Sequence, residues 1–461
     1  MDTEILARLQ FALTVGFHYI YPPLSIGIGV LLVIMEGLYL KTKNEVYQQM
    51  TKFWVKIFAL TFAIGVATGI VMEFEFGTNW ATYSRYVGDI FGSALAAEGI
   101  FAFFLESGFL AILVFGWNKV SPRVHFLSTI MVSFGSMLSA VWIVVANSWQ
   151  QTPAGFHIVG VGINARAEIT HFWEMVFNPS SMDRLSHVLS GCWQAGAFLV
   201  LSVSAYYLIK NRHVDLAQKS LKIALFLAIF ASLFQLFTGH QSSVGVSENQ
   251  PAKLAAFEAH YDSSAVAPLY LFGWVDDEKQ TVKYGVAIPG LLSYLIYGDF
   301  DHPVTGLNAY PKDERPPVNL VFQTYHLMVA IGFALIAISL AGLFLLWRGS
   351  LFRTKWYLYI LVFSVLLPQT ANQLGWISAE VGRQPWIVYH LLRTSDALSK
   401  VVTEGQIWFS IILFILIYSL LFVLFLYLLN EKIKHGPEPV DSTSAVYAQQ
   451  KGLFSKENRS H

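Results

Sequence analysis

Cysteine is almost absent: Cys192 is the only one among 461 residues, so no internal disulfide can form, and a lone thiol in an apolar segment reads as a small packing residue. Charge is scarce as well. Asp, Glu, Lys and Arg make up 13% of the chain, where a soluble domain carries roughly a quarter. Thirty basic residues balance thirty acidic ones, so no basic face is left for a nucleic-acid partner. The first residues lack the basic run, short apolar core and small-residue cleavage site of a secretory leader; Asp2, Glu4 and Arg8 stand there instead, and no cleaved signal peptide is expected. No internal repeat is visible.

What is abundant is apolar surface. Hydrophobic residues reach 55%, aromatics 15% and the mean hydropathy is +0.51, so the solvent of this chain is mostly lipid bilayer. A spanning helix needs about 20 apolar residues. Nine stretches supply them, at 17–40, 53–72, 93–117, 126–149, 187–209, 221–239, 320–347, 356–376 and 407–429. The fold class read from this is an all-α integral membrane protein of about nine transmembrane helices, with a long extracytoplasmic loop between helices 6 and 7. Basic turns fall on alternate sides (Lys41, Lys43 and Lys52; Lys119 and Arg123; Lys210, Arg212, Lys219 and Lys222; Arg348, Arg353 and Lys355; Lys432 and Lys434), and the positive-inside rule makes that side cytoplasmic. The N-terminus is then outside and the C-terminus inside. The expected organisation is helices 1–6 over 1–240, the outer loop over 241–319, helices 7–9 over 320–430 and a polar cytoplasmic tail over 431–461. Within the loop, 250–261 reads as a charged helix and 286–297 as an apolar stretch too short to span. Gly65 and Gly69 read as a close helix contact.

Ionisable residues at membrane depth cost several kcal/mol unless paired, hydrated or ligating, which makes each one a functional candidate. His18, Glu98, His187, Met328 and Glu380 fall at the outer side on five helices. Two histidines, a methionine and carboxylates at one depth suit haem iron, and from spacing alone the chain reads as a haem or metal protein. Glu98 and Glu106 lie eight residues apart, about 80° around a straight helix and roughly 12 Å along it. With His125, Ser139 and Asn147 on the next helix they form a candidate proton path from the cytoplasmic side. A transporter or ion channel would line its pathway with the same residue types, and a plain haem b electron carrier would need only His187 and Met328.

Several motifs narrow this. Arg8-Leu-Gln-Phe-Ala-Leu-Thr-Val-Gly-Phe-His18, Met72-Glu-Phe-Glu-Phe-Gly-Thr-Asn-Trp80, Gly88-Asp-Ile-Phe-Gly92, Glu98-Gly with Phe103-Phe-Leu-Glu-Ser107, Val145-Ala-Asn-Ser-Trp149 and Gly382-Arg-Gln-Pro-Trp386 occur in order, and the chain resembles subunit I of cytochrome bd-type quinol oxidases from Arg8 to Leu429. The resemblance implies a terminal respiratory oxidase of a bacterial inner membrane. It would oxidise quinol outside, reduce O2 to water and build a proton motive force by charge separation without pumping. It further implies three haems: a low-spin haem b held by His187 and Met328, and a high-spin haem b and a haem d (or a further haem b in its place) held one each by His18 and Glu380. Arg8 and Arg383 would pair with haem propionates. Gln250-Pro-Ala-Lys253-Leu-Ala-Ala-Phe-Glu258 matches the family's quinol-oxidation segment, with Lys253 and Glu258 tied to quinol binding or deprotonation. The partners implied are a second large membrane subunit and a small single-helix subunit. The chain departs from familiar members in its short loop and in His326, where Arg is common. Phe17-His-Tyr-Ile-Tyr-Pro-Pro23 and Gly239-His-Gln are similar to the cyanide-insensitive branch, some members of which carry little haem d.

Overall fold

In the computed structural model, which describes residues 2–438, nine helical segments are long and apolar enough to cross a membrane. The polar tail expected from 431 lies, beyond residue 438, outside the described residues.

Capping chemistry sets many of the helix ends. The first segment is two helices, α1 (Thr3–His18) and α2 (Tyr21–Thr42), broken where Pro22 and Pro23 remove backbone donors just after His18. Lys43 closes α2 in the left-handed region at φ 58°. Asn44 opens α3 (Glu45–Thr78) by accepting from the Val46 amide at 3.0 Å. After the short α4 (Ala81–Tyr86), the third segment comprises α5 (Gly88–Ala97), a π-helical turn over Glu98–Phe103 and α6 (Phe104–Phe115). Ser121 and Pro122 start α7 (Pro122–Gln151). A hairpin, β1 (Phe156–Val159) and β2 (Arg166–Ile169), and the one-turn α8 (Phe172–Val176) lead to α9 (Ser181–Ile209) and α10 (Val214–Asn249). The loop holds α11 (Pro251–Phe257), the antiparallel hairpin β3 (Leu269–Asp276) and β4 (Thr281–Ile288), and α12 (Leu291–Tyr297). Then come α13 (Val318–Trp347), α14 (Lys355–Phe363), α15 (Leu366–Val381), the small hairpin β5 (Trp386–Val388) and β6 (Leu392–Arg393), and α16 (Glu404–His435), whose Thr403 and Gln406 form a capping box.

The helices outrun the apolar windows. α10 continues to Asn249, ten residues past the expected end at 239, so the loop spans 250–317. Polar helix turns that read as loop in a hydropathy window are stable here because protein covers them. α9 is the central helix: 83% of its apolar window is buried, against 17% for α16 at the periphery. α9 crosses α2 backbone to backbone, since a Cβ at Gly27 would stand 2.3 Å from the Cys192 carbonyl oxygen and one at Gly196 would stand 2.3 Å from the Gly27 carbonyl carbon. This backbone-to-backbone crossing is closer than the helix contacts at Gly65 and Gly69. Gly65 merely meets the Cβ of Tyr21, and Gly69 faces the ring of His18. One large core around Tyr21, Trp54, Phe58 and Phe198 fills the middle of the bundle, and a second, around Trp80, Tyr83 and Trp149, packs the segment after α3 against the β5–β6 turn.

Candidate functional site

A single cavity of about 1710 Å³ runs through the bundle into the loop. It exceeds the roughly 300–1,000 Å³ of an ordinary small-ligand pocket, so it has room for more than one large ligand. His18, Glu98, Glu106, His187, Met328, Glu380, Arg8, Arg383, Lys253, Glu258, Ser139 and Asn147 all line it. Of the candidate haem, quinol and proton-path residues, His125 alone does not.

The two histidines are held alike. Nδ1 of His18 lies 3.0 Å from the Thr68 hydroxyl, and Nδ1 of His187 lies 3.2 Å from the Thr238 hydroxyl. Gln235 places its amide nitrogen 3.0 Å from Nε2 and 3.2 Å from Nδ1 of His187, while Ser190 donates to its amide oxygen and so fixes which end of the amide faces the ring. Met328 packs its sulfur into the space left by Gly375, where a Cβ would stand 2.7 Å away.

The helix α15 ties these groups together. Gln373 donates to the Gly16 carbonyl at 2.8 Å, two residues before His18. Asn372 sits against Gly191, one turn after His187, Gly375 makes room for Met328, and Glu380 stands near the helix end. At Gly191 and Gly375 a Cβ would stand 2.8 Å from Asn372 Oδ1 and 2.7 Å from the Met328 sulfur, so a side chain there would displace one of those groups.

Around Glu380 the charges do not balance. Arg383 pairs with it at 2.5 Å and Arg184 at 4.0 Å, and Asn147 and Gln151 donate to it at 3.1 and 3.3 Å. Lys253, 2% exposed, donates to Gln151 and Gln250 at 3.0 and 3.2 Å. Burial, then the Arg184 charge, push its ammonium well below the ordinary lysine range, against the pull of Glu380. Three basic side chains thus face one carboxylate, and Arg383 Nη1 and Arg184 Nε are buried without a partner. Such a cluster calls for further anions. Arg8 is turned to Glu4 at 3.8 Å and is more exposed.

Lys253 and Glu258 do not touch a common partner, and neither is solvated. Glu258 is 2% exposed and lies 3.8 Å from His326, which also contacts the Tyr270 carbonyl at 2.8 Å. Burial pushes the Glu258 carboxyl up to about 8.

The carboxylate file follows α6 and α7. Ser139 donates to Glu98 at 2.7 Å, and Glu106 fills the gap left by Gly135. The π-helical turn between the carboxylates corrects the straight-helix reading. It inserts one residue into a turn, so eight residues act as about seven α-helical steps and the angle shrinks from about 80° to about 20°. His125 belongs to a separate buried group outside the cavity: its Nδ1 lies 2.6 Å from Glu36, its Nε2 lies 3.1 Å from the Leu113 carbonyl, and Thr129 also donates to Glu36. Sequence reasoning missed Arg184, Glu36, Gln235, Thr68 and Thr238. The first two carried a signal, being ionisable groups inside or beside an apolar window; the other three are neutral and carried none.

The chain matches the family described as cytochrome bd terminal oxidase subunit I over residues 6–437. It is 40% identical to the cytochrome bd ubiquinol oxidase subunit 1 of Bacillus subtilis over 95% of each chain. It is 35% identical to the cytochrome bd-II ubiquinol oxidase subunit 1 of Escherichia coli, over 97% of this chain and 99% of that one. The structure of the bd oxidase from Geobacillus thermodenitrificans superposes with a TM-score of 0.87 at 30% identity, covering 95% of this chain and 99% of the other.

Proposed function

The chain belongs to the cytochrome bd terminal oxidase subunit I family and is a subunit of a terminal quinol oxidase, and from that premise we propose a division of labour among its residues. Quinol is oxidised at the loop end of the cavity, which faces outward, with the N-terminus outside and the C-terminus inside. Haems, when bound, carry electrons from quinol to O2 and supply the iron at which O2 becomes water. His187 and Met328 would hold a low-spin haem b, while His18 and Glu380 would hold one each of two high-spin haems, a b and a d or a second b.

The residues present fit that cargo. The buried excess of basic groups around Glu380, with Arg383 Nη1 and Arg184 Nε unpartnered, matches the carboxylates that haem propionates bring. Nε2 of His187, the ring nitrogen that Thr238 does not contact, is the one that would bind iron. Lys253 offers a buried donor to a quinol headgroup, and Glu258 accepts its proton when ionised. Glu106 passes protons from the cytoplasmic side to Glu98, which Ser139 orients. Proton release outside and uptake inside separate charge without a pump. A second large subunit and a small single-helix subunit cover exposed apolar helix faces such as Phe409 and Val423 of α16.

The observation that carries this reading is that His18, His187, Met328 and Glu380 share one cavity with Lys253 and Glu258. Replacing His187 or Met328 with Leu should remove the low-spin haem signal from reduced-minus-oxidised spectra of the purified complex and leave the rest of the bundle folded. An unchanged low-spin spectrum in both variants would refute the ligand assignment.

A further inference from the structure

A threonine hydroxyl has one proton to give. Thr68 spends its proton inside its own helix, with its hydroxyl 2.9 Å from the Ile64 carbonyl and 3.1 Å from the Gly65 carbonyl. Thr238 does the same toward the Gln235 carbonyl at 3.3 Å. With its proton on the helix carbonyl, each oxygen presents lone pairs to the histidine ring facing it, and this assigns the ring hydrogen to the nitrogen at that contact, Nδ1 in each case. At His187 the Gln235 amide nitrogen lies 3.0 Å from Nε2 and 3.2 Å from Nδ1, facing the ring without choosing between its nitrogens, so the assignment there rests on Thr238.

The device occurs twice in the same form. Thr68-Gly69 stands on α3 opposite His18 of α1, and Thr238-Gly239 stands on α10 opposite His187 of α9. Each glycine leaves the Cε1 edge of its histidine clear: a Cβ would come to 3.2 Å at Gly69 and 3.5 Å at Gly239. The first is tighter than an ordinary contact and the second is an ordinary one, so space is more critical beside His18.

We propose that Thr68 and Thr238 are positioning residues that fix the tautomer and plane of His18 and His187, so that each presents an Nε2 lone pair to iron. The proposal rests on the reading of these histidines as haem ligands and deepens it. A ligating histidine whose other N–H is held by an acceptor is a stronger base, and loss of such an acceptor costs about 10- to 100-fold in metal affinity. A stronger base favours the ferric state. If a tenfold loss falls on the ferric form alone, the midpoint potential rises by about 59 mV for a one-electron couple.

The test uses the purified holo-complex and compares Thr68→Val and Thr238→Val with Thr68→Ser and Thr238→Ser. The measurements are redox titration of each haem, haem content and resonance Raman spectra of the iron–histidine bonds. Each valine variant should raise the potential of its own haem, lower its iron–histidine frequency or release the haem, and leave the other unchanged. The serine variants, which keep the hydroxyl, should behave as the parent. If a valine variant does not assemble, the alanine variant read against serine decides in its place. Potentials, haem content and iron–histidine frequencies unchanged in the valine variants, or shifted equally by serine and valine, would overturn the tautomer role. His18→Ala and His187→Ala run in parallel separate the two claims: retention of both haems there would overturn the ligand reading itself, whereas their loss beside inert valine variants would overturn only the role of the threonines.

Discussion

The two ends of the cavity solve the problem of buried polarity in opposite ways. Around Glu380, basic side chains are crowded together and left short of anions, with two guanidinium nitrogens unpartnered. Along α6 and α7, the carboxylates Glu98 and Glu106 are spaced out, and at Glu98 a hydroxyl rather than a cation is the partner. A crowded, unbalanced cluster holds a charged ligand in one place; a spaced file of neutral partners lets a proton visit each carboxyl in turn. The difference shows that burial alone does not define a role, because what matters is whether the partners carry compensating charge.

The harshest way to break the comparison is to remove the one carboxylate of the crowded end. Glu380→Ala leaves Arg184, Arg383 and Lys253 to repel one another, and thermal unfolding of the purified complex should show a loss of roughly 3–5 kcal/mol, together with loss of one high-spin haem. The matching change in the file, Glu106→Gln, keeps size and hydrogen bonding and should leave both stability and haem spectra intact. It should slow O2 reduction by about 10²-fold or more, as measured with an oxygen electrode.

A smaller effect is expected in the loop. Lys253→Ala and Glu258→Ala should each lower the ratio of quinol-driven to artificial-donor-driven O2 uptake on the order of tenfold, the cost of about one hydrogen bond to a charged group, while carbon monoxide difference spectra stay normal. An unchanged ratio would move the quinol site elsewhere on the outer surface.

The smallest effect is a pH dependence. Burial raises the Glu258 carboxyl to about 8, so in the proposed role it would accept a proton from quinol more readily as pH climbs toward that value. Quinol-driven turnover should therefore rise toward about pH 8, and Glu258→Gln should flatten that limb. The sign for stability is the reverse. A raised carboxyl contributes stability that is fully present below its ordinary range and is lost as pH rises through about 8. The parent should thus lose stability over that window relative to Glu258→Gln. Parallel pH–stability curves would show that this carboxyl does not titrate there.

Much of this architecture is legible in the sequence, because lipid imposes a simple rule on composition. Nine apolar windows correspond to nine spanning segments, and ionisable residues inside them stand out by their cost. His18, Glu98, Glu106 and His187 are found on that ground, Glu380 stands just past the window 356–376, and all five share the cavity. Hydropathy fails where protein replaces lipid as the solvent. The separate helix α1 and the last turns of α10 are polar enough to read as flanks, and they are helical because neighbouring helices and the loop cover them. Thr68 and Thr238 escape for a different reason: a neutral side chain that bonds its own or a neighbouring helix costs little at membrane depth. The phase of Glu98 against Glu106 is likewise invisible until the π-helical turn is seen.

The three helices that carry the proposed ligands His18, His187 and Met328 meet on α15, between Asn372 and Glu380, the fourth proposed ligand. Eight residues of helix make a rod of about 12 Å, which is stiff against stretching because each step is closed by a backbone hydrogen bond. A rod of that kind acts as a ruler. When the bundle breathes, α1, α9 and α13 can slide or tilt, but their points of attachment keep their order and spacing along one element. Electron transfer is sensitive to small changes in separation, so a shared ruler would hold the gaps between redox centres steady while the lipid around the protein changes thickness.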